Sequence, residues 1–308
     1  MNYIFGPVAS RRLGYSLGID IVPANTCSCD CLFCEVDRTS RKSVERSAFV
    51  HEERVIDELT EALALPMKVD IITFSGSGEP TLNSRLGQLI RRVKRVSELP
   101  VAVITNSTLI DRPDVRSELS AADIVLPSLH SVVPETFQRL CRPARGVSLE
   151  SMIQGLATFR SSFAGQLWLE VLLVKGINDS PHELTRLRRV IDEIMPDRIQ
   201  VATVTRPPAD QGAQPVSRTY LENVCGLFGP SCELVGSFGR SGAAPVLGDE
   251  RGRMLELLKR RAATLDEVIE ALQIDRKLAK QLLTELVDSG AVQHRVFGDR
   301  DFYLSISD

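Results

Sequence analysis

Between Leu17 and Val204, short apolar runs alternate with longer amphipathic ones. Six short runs read as strands: 17–21, 69–74, 101–105, 123–127, 167–174 and 198–204. They are rich in β-branched residues and lack strict alternation, as expected for parallel strands buried on both faces. Helical patterns lie between them at 52–65, 86–96, 114–121, 149–163 and 181–195. In the first of these, Val55, Ile56, Leu59, Ala62 and Leu63 fall at three-and-four spacing. Six β/α units in series imply a parallel sheet wound by right-handed crossovers. That is too few to close an eight-stranded barrel, so the pattern leaves a partial (β/α)6 barrel or an open doubly wound sheet.

The stretch 206–217 is rich in Pro, Ala and Gln and reads as a long loop, and 236–245 reads as a flexible linker. The pattern then becomes compact. A helix over 251–261 precedes one over 265–272, which Thr264 and Glu267 cap as a box. Asp275 caps a third helix over 276–289, which Gly290 ends. Strands at 291–296 and 301–304 follow, joined by a Gly298-Asp299 turn. This is the layout of a winged helix. The expected division is 1–235, a linker at 236–248, and a winged-helix-like domain at 249–308.

Composition changes this picture little. Of 308 residues, 43% are hydrophobic and 25% charged, with a net charge of -3, so bulk charge does not announce a nucleic-acid binder. No apolar run approaches the roughly 18–20 residues needed to span a bilayer. Ser10-Arg11-Arg12 faintly resembles an export signal, but Asp20 and Pro23 interrupt the apolar stretch such a signal needs. The reading is a cytoplasmic protein.

The cysteines add chemistry. Cys27, Cys29, Cys31 and Cys34 crowd into one short loop after the first strand, with Cys141, Cys225 and Cys232 elsewhere. Crowding of this kind favours metal or redox chemistry over a disulfide scaffold. Cys27, Cys31 and Cys34 have the spacing C-x3-C-x2-C. A cubane [4Fe–4S] cluster usually takes four thiolates, so three leave one iron open to a co-substrate. The alternative is a zinc knuckle with Cys29 as fourth ligand, which the one-residue gaps fit poorly. Cys141, Cys225 and Cys232 read as buried thiols, with a second cluster as the alternative.

On this pattern the chain resembles the radical S-adenosylmethionine (SAM) superfamily. The resemblance implies that the open iron chelates SAM, and that one electron cleaves it to methionine and a 5′-deoxyadenosyl radical, which abstracts hydrogen from a substrate. Phe33 matches the family's aromatic residue before the third cysteine. Ser75-Gly76-Ser77-Gly78-Glu79-Pro80, after the second strand, resembles the family's GGE motif, with Ser77 at its first glycine. Ser77, Gly78 and Glu79 are thus expected to hold SAM, Glu79 taking its ammonium. Asn106 and Ser128, at the next two strand ends, resemble the ribose and carboxylate contacts. Glu170, inside an apolar strand, either meets a partner in the barrel or faces solvent. Arg206 either grips an anion or closes the barrel through a salt bridge.

Together with 6–14, Lys175-Gly176-Ile177-Asn178-Asp179 and Arg206-Pro207-Pro208, these motifs resemble the branch of the tRNA wyosine-base synthases. The extra N-terminal cysteines of those synthases have no counterpart, because nothing before Cys27 is a cysteine. A low-potential cluster implies a flavodoxin- or ferredoxin-like electron donor. The tail carries ten Lys/Arg against twelve Asp/Glu over 249–308. Arg276, Lys277, Lys280, Arg295 and Arg300 form a local basic patch, interleaved with Asp275, Glu285, Asp288, Asp299 and Asp301. Three readings stand: an RNA-modifying radical enzyme; a radical enzyme acting on a peptide, protein or metabolite, with the tail docking a partner; and a non-enzymatic iron–sulfur DNA-binding regulator.

Overall fold

The computed structural model describes residues 3–10, 12–235, 250–272 and 274–306. In chain order the elements are β1 (Ile4–Ser10), β2 (Gly14–Ile19), the two-residue strands β3 (Thr26–Cys27) and β4 (Arg41–Lys42), α1 (Glu52–Leu63), β5 (Ile71–Phe74), α2 (Leu86–Val96), β6 (Val101–Thr105), α3 (Pro113–Leu119), β7 (Ile124–Pro127), α4 (Pro134–Cys141), α5 (Leu149–Ser162), β8 (Gln166–Leu173), α6 (Pro181–Ile194), β9 (Arg198–Thr203), α7 (Arg218–Phe228) and β10 (Cys232–Leu234). Then come α8 (Glu250–Arg260), α9 (Leu265–Leu272), α10 (Arg276–Asp288), β11 (Val292–Phe297) and β12 (Arg300–Ser305). None of the described helices is long and apolar enough to cross a membrane.

The main sheet orders its strands β1-β2-β5-β6-β7-β8-β9-β10. Its β1–β2 pair is antiparallel and the other pairs are parallel. From β2 onward the strands follow one another without reversing direction across the sheet, which a doubly wound sheet would require. The fold is a partial (β/α)6 barrel, extended at its two ends by β1 and β10. Successive side chains separate its two faces. Ile72, Phe74, Val101, Val103, Val125 and Leu167 join the helices in the large core. Ile71, Ala102, Leu126 and Trp168 pack with Leu13 in a second, smaller cluster, the floor of the barrel interior.

A barrel with two sheet ends is open along one side, and the C-terminal module lies there. Its three helices and hairpin carry the caps expected from sequence: Thr264 and Glu267 bond reciprocally, and Asp275 accepts from the amides of Lys277 and Leu278. Its core does not close on itself. Met254, Leu257, Leu258, Val268 and Leu283 pack with Val8 of β1, and Phe5 packs alongside. The apolar side chains of the edge strand are thereby covered. The expected linker at 236–248 lies outside the described residues.

Arg206, after β9, ties the module to the far side of the opening. It is 3% exposed. Its guanidinium donates to the Ala262 carbonyl at 2.7 Å and to both Glu267 oxygens at 2.5 and 3.0 Å, and its Nε lies 3.1 Å from Glu35. Of the two sequence readings, the salt bridge is the one found. A buried charge needs such pairing, and removing one partner leaves the others desolvated and uncompensated. Arg206→Met is therefore expected to lower stability by about 3 kcal/mol, read from the urea midpoint, and to speed amide exchange in α8–α10. Burial raises the Glu267 pKa, but Arg206 overrides it and holds the carboxyl at about 2. A depressed acid stabilises above its unfolded pKa. The contribution is thus complete above about pH 4.5, and is lost as pH falls toward 2.

Candidate functional site

The loop from β2 to α1 carries Cys27, Cys31 and Cys34, and it is held on three sides. Pairing of β3 with β4 closes its base. On one flank the Leu32 amide donates to the Leu140 carbonyl at 3.0 Å, and that of Asp30 to Cys141 at 3.1 Å. On the other, the amides of Ala209 and Asp210 donate to the carbonyls of Cys34 and Leu32, both at 2.9 Å. Arg38 and Arg142 bridge Asp30 to Asp210 across the outside.

The third side is the G-x-G-E-P turn. A side chain on Gly78 would come within 2.1 Å of the Thr26 carbonyl, so the glycine lets the turn press against the cysteine loop. Gly76, at φ +146°, abuts Asp20 in the same way. The sequence reading gave Gly78 to SAM; contacts within the protein require both glycines as well. The Ser77 hydroxyl and amide donate to Asp20 at 2.6 and 3.0 Å and its carbonyl accepts from the Asn25 amide at 2.9 Å, so what the turn has left to present is the Gly78 main chain and the second lone pair of the Ser77 carbonyl.

Glu79 is 2% exposed. One oxygen accepts from the Thr81 amide (3.0 Å), the Thr81 hydroxyl (2.6 Å) and the Thr105 hydroxyl (2.7 Å); among the described residues the other accepts only the Asn106 amide (2.7 Å). It therefore locks the end of β5 to the end of β6. The second oxygen retains the lone pair an ammonium would need. Burial raises its pKa, opposed by these bonds.

Asn106 reaches the cysteines directly. Its Nδ2 donates to Cys27 Sγ at 3.3 Å and to Ser28 Oγ at 2.9 Å, while its Oδ1 accepts from Thr108. Ser128 sits at the end of β7, its amide bonded to the Thr105 carbonyl and its hydroxyl bonded to none of the described residues. Phe33 meets the buried ring of His130 edge-on, with centroids 4.9 Å apart. His130 Nδ1 accepts from the Leu172 amide at 3.0 Å, and burial lowers its pKa, so the ring is neutral with its proton on Nε2. Sequence reasoning missed His130, and also Asp20, because nothing local marks their partners. Glu170 does find a partner in the barrel: Arg12 holds it through a fork at 2.8 and 2.5 Å. Asn178 of the K-G-I-N-D run is a knot, joining the main chain of His130, Leu172 and Val174.

Burial pushes the Cys34 thiol up to about 12, and burial with nearby Glu79 raises that of Cys27. Hydrogen bonds from Cys141 and Cys29 lower that of Cys31. Ligation of Cys27 and Cys34 would thus release protons. Cys225 and Cys232 lie on α7 and β10, their sulfurs 2.8 Å apart. Among the described residues no three His, Cys, Asp or Glu side chains converge on a single point as one ion would require. A cubane distributes its thiolates over different irons and makes no such demand. Three soft thiols in one stapled loop, with an amide donor on one of them, fit an iron–sulfur cluster.

Residues 21–187, more than half of the chain, match the model of the radical SAM superfamily. The chain belongs to that superfamily. Its members are enzymes that use a [4Fe–4S] cluster and SAM. The chain is 34% identical over 299 residues to a protein of Brachyspira hyodysenteriae named GTPase Obg, spanning 95% of this chain and 44% of that protein. It is 35% identical over 205 residues to a UPF0026 protein of Synechocystis, covering 66% of this chain and 76% of that one. The fold resembles Streptococcus suis SuiB bound to its precursor peptide SuiA, with a TM-score of 0.54 and 16% identity over 71% of this chain and 48% of that one.

Glu79→Ala would orphan four donors at once. The expected loss is about 3 kcal/mol of stability in the cluster-free protein, read from the urea midpoint. An unchanged midpoint would show that the carboxylate is not the joint between β5 and β6.

Proposed function

We propose that this chain reductively cleaves SAM at a cluster ligated by Cys27, Cys31 and Cys34, and uses the product to abstract hydrogen from a substrate. The observation that carries the reading is the joint between the cysteine loop and the strand ends: Gly78 against Thr26, with Asn106 bonded both to Glu79 and to Cys27. Cluster and SAM together supply a 5′-deoxyadenosyl radical. The chain's part is to hold both. Glu79, through its less occupied oxygen, would take the SAM ammonium. The main chain of Ser77 and Gly78, with Ser128, would line the remainder. Asn106 would donate to the Cys27 sulfur, and Phe33, braced by His130, would shield the cluster. Cys29 and Cys141 would orient Cys31 without ligating iron. A flavodoxin- or ferredoxin-like protein would supply the electron.

The tail reads best as a partner of the barrel. Within its basic patch, Arg276 pairs with Asp266, and Arg300 with Glu267. Nucleic-acid binding through a winged helix would need those charges to face phosphates.

Anaerobically reconstituted, reduced protein given SAM is expected to form 5′-deoxyadenosine, measured by chromatography, with about four irons per chain. Cys34→Ala should lose both product and iron, whereas Cys29→Ser and Cys141→Ser should keep their iron. Product formation by Cys34→Ala, or iron loss in Cys29→Ser, would overturn the ligand set.

A further inference from the structure

Between the barrel interior and the C-terminal module lies a cavity of about 280 Å³. Its barrel wall includes Arg12, Thr73 and Gly76; Glu35, one residue past Cys34, lies at the loop; Arg260 and Arg261 form its roof. It thus runs from beside the cysteine loop to the underside of the module. Its volume lies just below the ~300–1,000 Å³ usual for ligand pockets. A metabolite fits; a folded macromolecule does not.

The wall chemistry narrows the class. Three guanidiniums line the cavity and one carboxylate faces them, and that carboxylate, Glu35, is engaged by Arg206. Arg12 is braced by Glu170, and Arg260 by Asp20 and Glu256, with its plane 4.7 Å over the Phe5 ring. These carboxylates balance the charge of Arg12 and Arg260 but do not make them acceptors. A guanidinium carries five N–H donors and no acceptor, so a braced fork still presents only donors. Ser10, Ser16 and Ser75 belong to the same lining, and Phe5, Val8, Leu13, Val36, Ile104 and Leu257 make up its apolar part. Such a wall suits an acceptor-rich, anionic group, and planar guanidinium forks match carboxylate and phosphate oxygens.

We propose that this cavity binds a small oxyanion-bearing molecule, a phosphate or carboxylate compound, with Arg261 and Arg260 of the C-terminal module as specificity-determining residues. The module is then the roof of a binding chamber, and it selects the ligand by charge. That this ligand is the enzyme's substrate rests on the proposed radical chemistry; that the chamber binds an oxyanion does not.

Binding is therefore tested first on protein without its cluster, by calorimetric titration with inorganic phosphate and with acetate against a chloride control. Saturable binding of at least one is expected, and binding of neither overturns the proposal. Phosphate alone, or acetate alone, identifies which oxyanion the chamber takes. Arg261→Gln should weaken binding at least about tenfold, and Arg261→Lys, which keeps the charge, should weaken it less. Wild-type affinity in Arg261→Gln overturns the assignment. Should Arg261→Gln fail to fold, Ile104→Phe fills the same cavity from the barrel side and should abolish binding; retained binding overturns the location. On reconstituted protein, Arg261→Gln should still form 5′-deoxyadenosine from SAM alone. Phosphate that competes with SAM there would assign the anion to the SAM site and overturn the proposal.

Discussion

One buried guanidinium joins three parts of this molecule: the end of the barrel sheet, the cysteine loop and the C-terminal module. Arg206 leaves the barrel after β9, reaches Glu35 beside the third cysteine of the loop, and grips Glu267 and the Ala262 carbonyl of the module. A charge so far from water is tolerated only with full pairing, and the pairing works only if all three parts are in place. The interaction is therefore as much a specification as a source of stability. It fixes where the module sits relative to the cysteine loop, and so fixes the shape of the space between them.

The strand ends obey the same logic on a smaller scale. Short polar side chains there bond to one another's main chain, where a ligand-binding surface might have been expected to leave them free. Glu79 takes donors from its own turn and from β6; Asn178 donates to the His130 and Leu172 carbonyls and accepts the Val174 amide; Asp20 receives Ser77 and meets Arg260. Two of these knots occupy side chains that sequence reasoning assigned to SAM: one oxygen of Glu79 and the hydroxyl of Ser77. What remains for a ligand is mostly main chain, which is rigid once the knots are tied. Preorganisation of that kind is what a site handling a reactive species requires, because misplacement by a small distance wastes the radical.

The sequence makes the middle of the fold plain and hides its edges. The strands from β5 to β9 and the helices α2 and α6 carry unbroken apolar runs or clean periodicity, so burial and pattern agree. Strand β1 contains Gly6 and Pro7, residues that argue against a strand except at a sheet edge, and an edge is where it lies. Strand β10 is three residues long, and its neighbour α7 buries only Val224 and Phe228. The three cysteines and Glu79 stand out because their spacing is local. His130, Asp20, Arg260 and Glu35 act through partners far along the chain, and no window of sequence contains both members of such a pair.

The charge of the tail looks different once its two faces are separated. Read as a string, its basic patch is balanced by acids and points to no partner. In the structure, the outer face keeps that balance, with Arg276 on Asp266 and His294 beside Asp301. The inner face turns Arg260 and Arg261 toward the barrel. A net charge sums over both faces and loses the asymmetry. A module whose main contacts are Phe5, Val8, Asp20 and Arg206 has the barrel as its first partner. Any macromolecule it recruits would have to use the balanced outer face, because the inner face is turned to the barrel.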